Sequence, residues 1–302
     1  MFSKILIPLD GSSFSEAAVP FSINLAMQMH SRITLLHVIE KYPPKSVHGE
    51  HHLAGYNEAS EYLENLKNSS YPKGIEVDCH IHPGDGISVE KAIAKHKEEI
   101  SADLILMTTH GWGGLKEIFF GNIAQQIFNT GTIPVLFIPP SLKNPSTDKW
   151  PEKIILPLDG TGEHEKGGEA AAEITKSCGS ELTLAFIIPT LNTLPADKNA
   201  LGVLLPGATR EVLEMQEDVA EEYLNKKMGE FRNMGINVKT EICRGDPALG
   251  INRIVEKENI DLIVLGTHGR VGISAFWSGS VGAKITNRAK AAILFVPIGE
   301  DH

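Results

Sequence analysis

The residues with the clearest chemical bearing stand late in the chain. Gly266-Thr267-His268-Gly269 is followed, nine residues on, by Gly279-Ser280-Val281. Glycines placed after a strand let backbone N–H groups approach an anion with no side chain in between. Gly279-Ser280 opens a stretch in which Val281, Ile285 and Ala289 recur at helical spacing,. A helix start presents unpaired N–H donors and the positive end of its dipole, and Ser280 adds a hydroxyl donor. The ligand this describes is a di- or triphosphate. Glycine spacing alone also describes ordinary turns, so the weight rests on position: a strand end, a helix start, and Asp159 expected across the sheet.

A weaker copy of the pattern stands earlier. Thr108 takes the place of Gly266 and Asn122 that of Ser280, while Gly111 and Gly121 remain. A Cβ at Thr108 crowds the approach to an anion, whereas Asn122 can still cap a helix. Asp10 and Asp159 each follow Pro-Leu in a repeated Pro-Leu-Asp-Gly. Asp-Gly is a common turn dipeptide, but its repetition favours a role in at least one copy. His110 and His268 occupy matching loop positions and read as hydrogen-bonding scaffold. Arg270 is placed to meet a phosphate or simply solvent. His48-Gly49-Glu50-His51-His52 matches neither zinc-finger spacing nor His-Glu-x-x-His, and reads as an exposed loop. Cys79-His80-Ile81-His82 alternates along a strand, which predicts a core thiol on one face and exposed imidazoles on the other. There is no Gly-x-x-x-x-Gly-Lys-Ser/Thr loop and no Gly-x-Ser-x-Gly elbow,. No carboxylate pair or Cys/His arrangement forms a catalytic constellation.

These residues are positioned by a chain that repeats itself. Lys4-Ile5-Leu6-Ile7-Pro8-Leu9-Asp10-Gly11 returns as Lys153-Ile154-Ile155-Leu156-Pro157-Leu158-Asp159-Gly160. Asp103-Leu104-Ile105-Leu106 returns as Asp261-Leu262-Ile263-Val264, Gly84-Asp85 as Gly245-Asp246, and Val135-Leu136-Phe137-Ile138 as Ile293-Leu294-Phe295-Val296. The Pro-, Ser- and Asn-rich stretch from Pro139 to Lys149 marks a boundary. It divides the chain into domains 1–140 and 151–302 with a linker at 141–150. In the first half, short apolar runs predict strands at Lys4 to Leu9, Arg32 to Ile39, near Ile75 to Ile81, Leu104 to Thr108 and Val135 to Ile138. Helical patterns lie between them, one from Ser13 to Met29 opened by the capping-box spacing Ser13-Phe14-Ser15-Glu16, another carrying Val89, Ala92, Ile93, His96 and Ile100. Near-continuous apolar strands alternating with helices predict an α/β fold: two doubly wound domains, each with a mainly five-stranded parallel sheet flanked by helices. The fifth strands are short apolar edges, and pairing them with each other joins the halves as a pseudo-dimer. In such sheets ligands sit beyond the carboxyl ends of the strands, here after Leu9, Val38 and Met107, and after Leu158, Ile187 and Leu265.

With the repeat in view, the chain resembles the universal stress proteins, in tandem. The ATP-binding members of that family carry Gly, two residues, Gly, nine residues, Gly and Ser or Thr, which the second half matches throughout. They also carry an acidic residue after the first strand, matched by Asp159, and an apolar residue closing the second, matched by Ile187; both hold the adenosine end. The resemblance implies ATP or ADP, with Mg²⁺ on the phosphates, bound by Asp159, Ile187, Gly266, His268, Gly269, Arg270, Gly279, Ser280 and Val281. The first-half counterparts are Asp10, Val38, Gly111, Gly121 and Asn122, expected to bind weakly or not at all. It further implies a cytoplasmic stress-response protein acting through nucleotide-dependent conformation or partner choice, with room for a further homodimer and with catalysis at most weak ATP hydrolysis. Two rival classes remain: a slow ATPase or nucleotidyl-transfer enzyme, and a nucleotide-free interaction protein.

The bulk composition agrees. The 302 residues carry a net charge of −10, and an acidic surface repels nucleic-acid phosphates. The N-terminal residues enter a strand directly, with none of the regions of a signal peptide, and no run of eighteen apolar residues predicts a membrane span. Three widely spaced cysteines (Cys79, Cys178, Cys243) point away from a disulfide framework.

Overall fold

The computed structural model describes residues 2–43, 46–47, 49–83, 85–111, 118–119, 122–129, 133–139, 142–145, 149–160, 165–190, 193, 206–268, 284–285 and 290–298. In the first half, β1 (Lys4–Pro8), β2 (Arg32–Val38), β5 (Val77–His82), β6 (Leu104–Thr108) and β9 (Val135–Ile138) form the sheet. They alternate with α1 (Ser13–Glu16), α2 (Val19–Met29), α3 (Tyr56–Ser70), α4 (Val89–Glu99) and α5 (Asn122–Asn129). Two small hairpins stand apart: β3 (Ser46–Val47) with β4 (Glu50–His51), and β7 (His110–Gly111) with β8 (Ile118–Phe119). The second half repeats the plan with β10 (Lys153–Leu158), β11 (Glu181–Ile188), β12 (Val238–Arg244), β13 (Leu262–His268) and β14 (Ala292–Ile298). Among the described residues its helices include α6 (Glu165–Cys178), α7 (Pro206–Asn233) and α8 (Pro247–Glu258).

The strands make one sheet of ten, in the order β12-β11-β10-β13-β14-β9-β6-β1-β2-β5. Each half therefore runs third, second, first, fourth, fifth, and every pairing inside a half is parallel. Parallel strands covered by helices on both faces must be apolar throughout, and β6 and β9 are buried at every residue,. Two buried clusters follow from the pleat, Ile5 and Ile7 lying in one and Leu6 in the other, and each cluster draws side chains from both halves.

The halves meet where the sequence places the seam, at their fifth strands. β14 pairs antiparallel with β9, matching Ile293 with Phe137, Leu294 with Leu136 and Phe295 with Val135. Leu294 is the repeat counterpart of Leu136, so the seam has a local twofold relation. Phe137 and Phe295 stack edge to face at 5.8 Å across it. The join makes one continuous sheet rather than two sheets in contact, and it reverses strand direction, so the carboxyl ends of the two halves lie at opposite edges.

Local chemistry fixes the frame. Asp103 accepts from the backbone N–H groups of Ser3 and Lys4, at 2.8 and 2.9 Å. Its repeat counterpart Asp261 accepts from those of Glu152 and Lys153, at 3.0 and 2.9 Å. The repeated aspartate thus ties the start of the first strand to that of the fourth. The helical stretch expected from Ser13 to Met29 is broken in two, with Pro20 in the first turn of α2, because a proline inside a helix removes a hydrogen bond and clashes with the preceding turn. The cap of α1 is Ser12, whose side chain accepts from Ser15 N, one residue before the position implied by the Ser13-to-Glu16 spacing. Ahead of β10, Trp150 is clamped on α2: its carbonyl accepts from Gln28 Nε2 at 2.7 Å and its ring meets Phe21 edge to face at 4.8 Å.

Candidate functional site

In a sheet of this order the direction of winding reverses between the first and fourth strands, and ligands collect beyond the carboxyl ends at that switch point. In the second half it lies between β10 and β13. The register pairs Ile154 with Leu262 and Ile155 with Ile263; carried forward, it sets Leu158 level with Gly266. Asp159 follows Leu158 directly and is exposed. The switch point is thus flanked by Asp159 on one strand end and Gly266 on the other. His268 is the last residue of β13, opposite Ile298 of β14. Gly269, Arg270, Gly279, Ser280 and Val281 lie outside the described residues. Beyond them Ile285 is fully buried, and Lys284 Nζ lies 3.8 Å from Asp246 Oδ2. Asp246 also caps α8 by accepting from Leu249 N at 3.0 Å.

Two of the sequence-predicted residues have packing roles as well. Ile187 is 9% exposed, and α8 crosses it so closely that a Cβ on Gly250 would lie 2.9 Å from its Cδ1. Its side chain therefore belongs to the core, and its backbone is what it can offer a ligand. Gly266 faces the first turns of α6, where a Cβ on Gly167 would lie 3.2 Å from Gly266 N. A glycine at 167 lets that helix descend onto the strand end.

The first half builds the corresponding switch point between β1 and β6. Ile5 pairs with Leu104 and Leu6 with Ile105, which sets Leu9 level with Thr108. Asp10 Oδ1 accepts from Ser12 N at 3.0 Å and from Ser12 Oγ at 2.6 Å, so this carboxylate orders the turn into α1. Val38 closes β2 with its side chain in the core. Gly111 lies in β7 and Asn122 begins α5, whereas Gly121 lies outside the described residues.

The same region holds a feature that sequence reasoning missed. Of the His48–His52 stretch, expected as an exposed loop, His48 lies outside the described residues, Glu50 and His51 form the exposed β4, and His52 is buried. His52 is 4% exposed and Leu53 8% exposed. Leu53 lies on Gly11, where a Cβ would come within 2.6 Å of Leu53 Cδ1. The Gly11 backbone has φ +87°, so glycine satisfies both the turn and the contact. The buried His37 ring touches two carbonyls, Nδ1 to Leu9 O at 2.8 Å and Nε2 to Leu53 O at 2.9 Å. Glu50 accepts from Ser13 N at 3.2 Å and from Ser13 Oγ at 2.6 Å. Burial holds the His52 imidazole below the ordinary histidine value, opposed by the nearby Glu40 carboxylate. On Gly160, the counterpart of Gly11, the nearest described group is the Phe186 ring, 3.6 Å from where a Cβ would stand.

Strand β5 departs from the faces its alternation predicts. Cys79 is partly buried and its thiol is pushed up to about 11 by burial, but the imidazoles opposite are not all exposed. His82 is 3% exposed, with Nδ1 3.1 Å from His96 Nε2 on α4. Covering by α4, invisible from strand alternation alone, accounts for the difference. Asp85 and Glu99 flank the pair at 3.3 and 3.2 Å.

The universal stress protein family model matches residues 1–139 and again residues 151–297. A universal stress protein of Mycolicibacterium smegmatis is 22% identical over 302 residues, covering 97% of this chain and 96% of its own length. The universal stress protein YxiE of Bacillus subtilis is 27% identical over 150 residues, 46% of this chain and 99% of its own. The crystal structure of a universal stress protein from Archaeoglobus fulgidus shares the fold across 99% of this chain and all of its own, with a TM-score of 0.67 at 18% identity. With the family pattern matched once in each half, this chain belongs to the universal stress protein family, as a tandem of two such units.

Proposed function

We propose that the chain is an adenine-nucleotide-binding stress-response protein whose second half, residues 151–302, is the main nucleotide site. The observation that carries this reading is the position of one sequence pattern. Gly266-x-x-Gly269, nine residues and Gly279-Ser280 begin at the carboxyl end of β13, on the switch point shared with Asp159. Backbone N–H groups freed by glycine suit phosphate oxygens. In this reading Asp159, on the opposite side, and the backbone at Ile187 hold the adenosine end. The ligand is ATP or ADP. Mg²⁺ would be held mainly by phosphate oxygens and water, with Arg270 and Ser280 as further phosphate contacts. Bound nucleotide sets the conformation of the loops at this edge and so the partner they accept. A cytoplasmic location and further homodimerisation belong to the same reading, as does the division at 141–150.

The first half, residues 1–140, keeps Asp10, Gly111 and Gly121 but carries Thr108 and Asn122, and is the weaker site. Losing one charge-assisted contact costs roughly 1.5–3 kcal/mol, about ten- to a hundred-fold in affinity. Mass spectrometry of ligand released from the purified protein tests the class of ligand, and calorimetry with Mg²⁺ tests the number. Absence of ATP or ADP binding at millimolar concentration leaves the nucleotide-free interaction protein as the reading. Multiple-turnover phosphate release would instead move the chain to the slow ATPases.

A further inference from the structure

We propose that Gly49–Leu53 is an internal occupant of the first half's site: a strap that fills, from within the chain, the face where a ligand would sit. It deepens the reading above and rests on it for the identity of the ligand. Three contacts hold the strap: two fall on Gly11 and Ser13 after β1, and the third runs through His37 of β2 to Leu9. Leu53 covers the α-carbon of Gly11, inside the space of a Cβ. The buried His37 ring is wedged between the carbonyl of Leu53 and that of Leu9, the last residue before Asp10, and donates its N–H to one of them,. Glu50 reaches over to the backbone and hydroxyl of Ser13. His51 fastens the outer side to α3 through Glu58, at 2.9 Å.

The carboxyl ends of β1 and β2 are where a base and ribose would need an apolar wall and an open backbone. Leu53 supplies apolar contact there and the His37 ring takes the Leu9 carbonyl, so the chain satisfies both needs itself. Glu50 is exposed and contributes little by itself,; the buried Leu53 is the main closure. A ligand can enter only when the strap swings out. The apparent affinity of the first half is then its intrinsic affinity reduced by the fraction of time the strap is open. The first half is thereby latent, in addition to whatever Thr108 and Asn122 subtract.

The test compares the full-length wild type with Glu50→Gln and with the double variant Glu50→Gln/Leu53→Ser. Hydrogen exchange at the strap amides and calorimetry with ADP and Mg²⁺ are measured on each. Protected strap amides in the wild type, faster exchange in the double variant, and a second binding event in that variant alone support the proposal. If the strap is closed nine-tenths or more of the time, the first-half affinity rises about tenfold or more on opening. The proposal is overturned if wild-type strap amides exchange as fast as unstructured peptide. It is equally overturned if the opened variant gains no second event. A wild type that binds no nucleotide speaks against the second-half site, a result read separately from the gain between wild type and variant. Glu50→Gln alone, which leaves Leu53 in place, provides a folded intermediate with a smaller increase in exchange, and a melting curve on each variant reports on folding.

Discussion

Gly266 answers two demands with one absent side chain. It lies near the end of β13, level with the switch point, and it accepts the first turns of α6 through Gly167. The first half has Ala18 and Thr108 at the matching positions, both buried, so the fold tolerates side chains there when both partners change. Gly167→Val alone drives a branched side chain against the Gly266 backbone. The expected cost is about 1–3 kcal/mol, read as a lower midpoint in denaturant, with nucleotide affinity falling alongside. His52 yields a pH prediction. Among the described residues neither buried ring nitrogen has a hydrogen-bond partner, Glu40 Oε1 standing 3.7 Å from Nε2, and burial lowers its pKa, with Glu40 and Asp10 opposing and His37 and His51 adding to the lowering. The closed strap therefore holds the neutral ring. Its stability is complete above the ordinary value near 6.5 and is lost as the pH falls through that value toward the lowered one. Strap amides should exchange faster at about pH 5.5 than at about pH 7.5 after correction for intrinsic rates; unchanged protection would refute the role of His52.

At the scale of elements, the proposed nucleotide site rests on the carboxyl-end loops, which the strands hold in place. Gly279→Val places a β-branched side chain at the glycine opening the Ser280 segment. It should remove nucleotide binding by the second half while leaving the melting temperature within a few degrees; normal ADP affinity in a folded variant would move the phosphate elsewhere. Strands were the most legible elements, because burial on both faces leaves an unbroken apolar run: β6 and β9 lie where Leu104 to Thr108 and Val135 to Ile138 predict them. The helix after β1 was legible in extent but not in its break, since Pro20 is as compatible with a new helix's first turn as with a kink. The strap was not legible. Its burial depends on Gly11 and His37, which lie far from it in sequence and reach it only through the parallel pairing of β1 with β2. The glycine pattern was legible as a pattern, whereas the packing role of Gly266 needed α6 in place.

At the scale of the molecule, a single sheet and two clusters shared by both halves predict one cooperative unit. Leu136 and Leu294 are buried at the centre of the seam. Leu294→Ala is expected to cost about 2–5 kcal/mol and to lower the unfolding of both halves together, in one transition by calorimetry and by circular dichroism. Separate transitions for the two halves would show that the seam does not couple them. Stoichiometry belongs to this scale too. One nucleotide per chain is expected, at the edge of the sheet carrying Asp159 and Gly266; two equivalent nucleotides would defeat the asymmetry.

The seam has a consequence for how the two copies can change. It pairs Leu136 with Leu294 and Phe137 with Ile293, the arrangement that two separate identical chains would adopt about a twofold axis. In such a pair every substitution is inherited by both partners, so a strap fitted to one face would close the other as well. Joined in one chain, each copy is encoded once. Thr108 and the strap can accumulate in the first half while the second keeps Gly266 and the full glycine pattern. The shared sheet meanwhile holds the diverging copy folded, whatever becomes of its binding face.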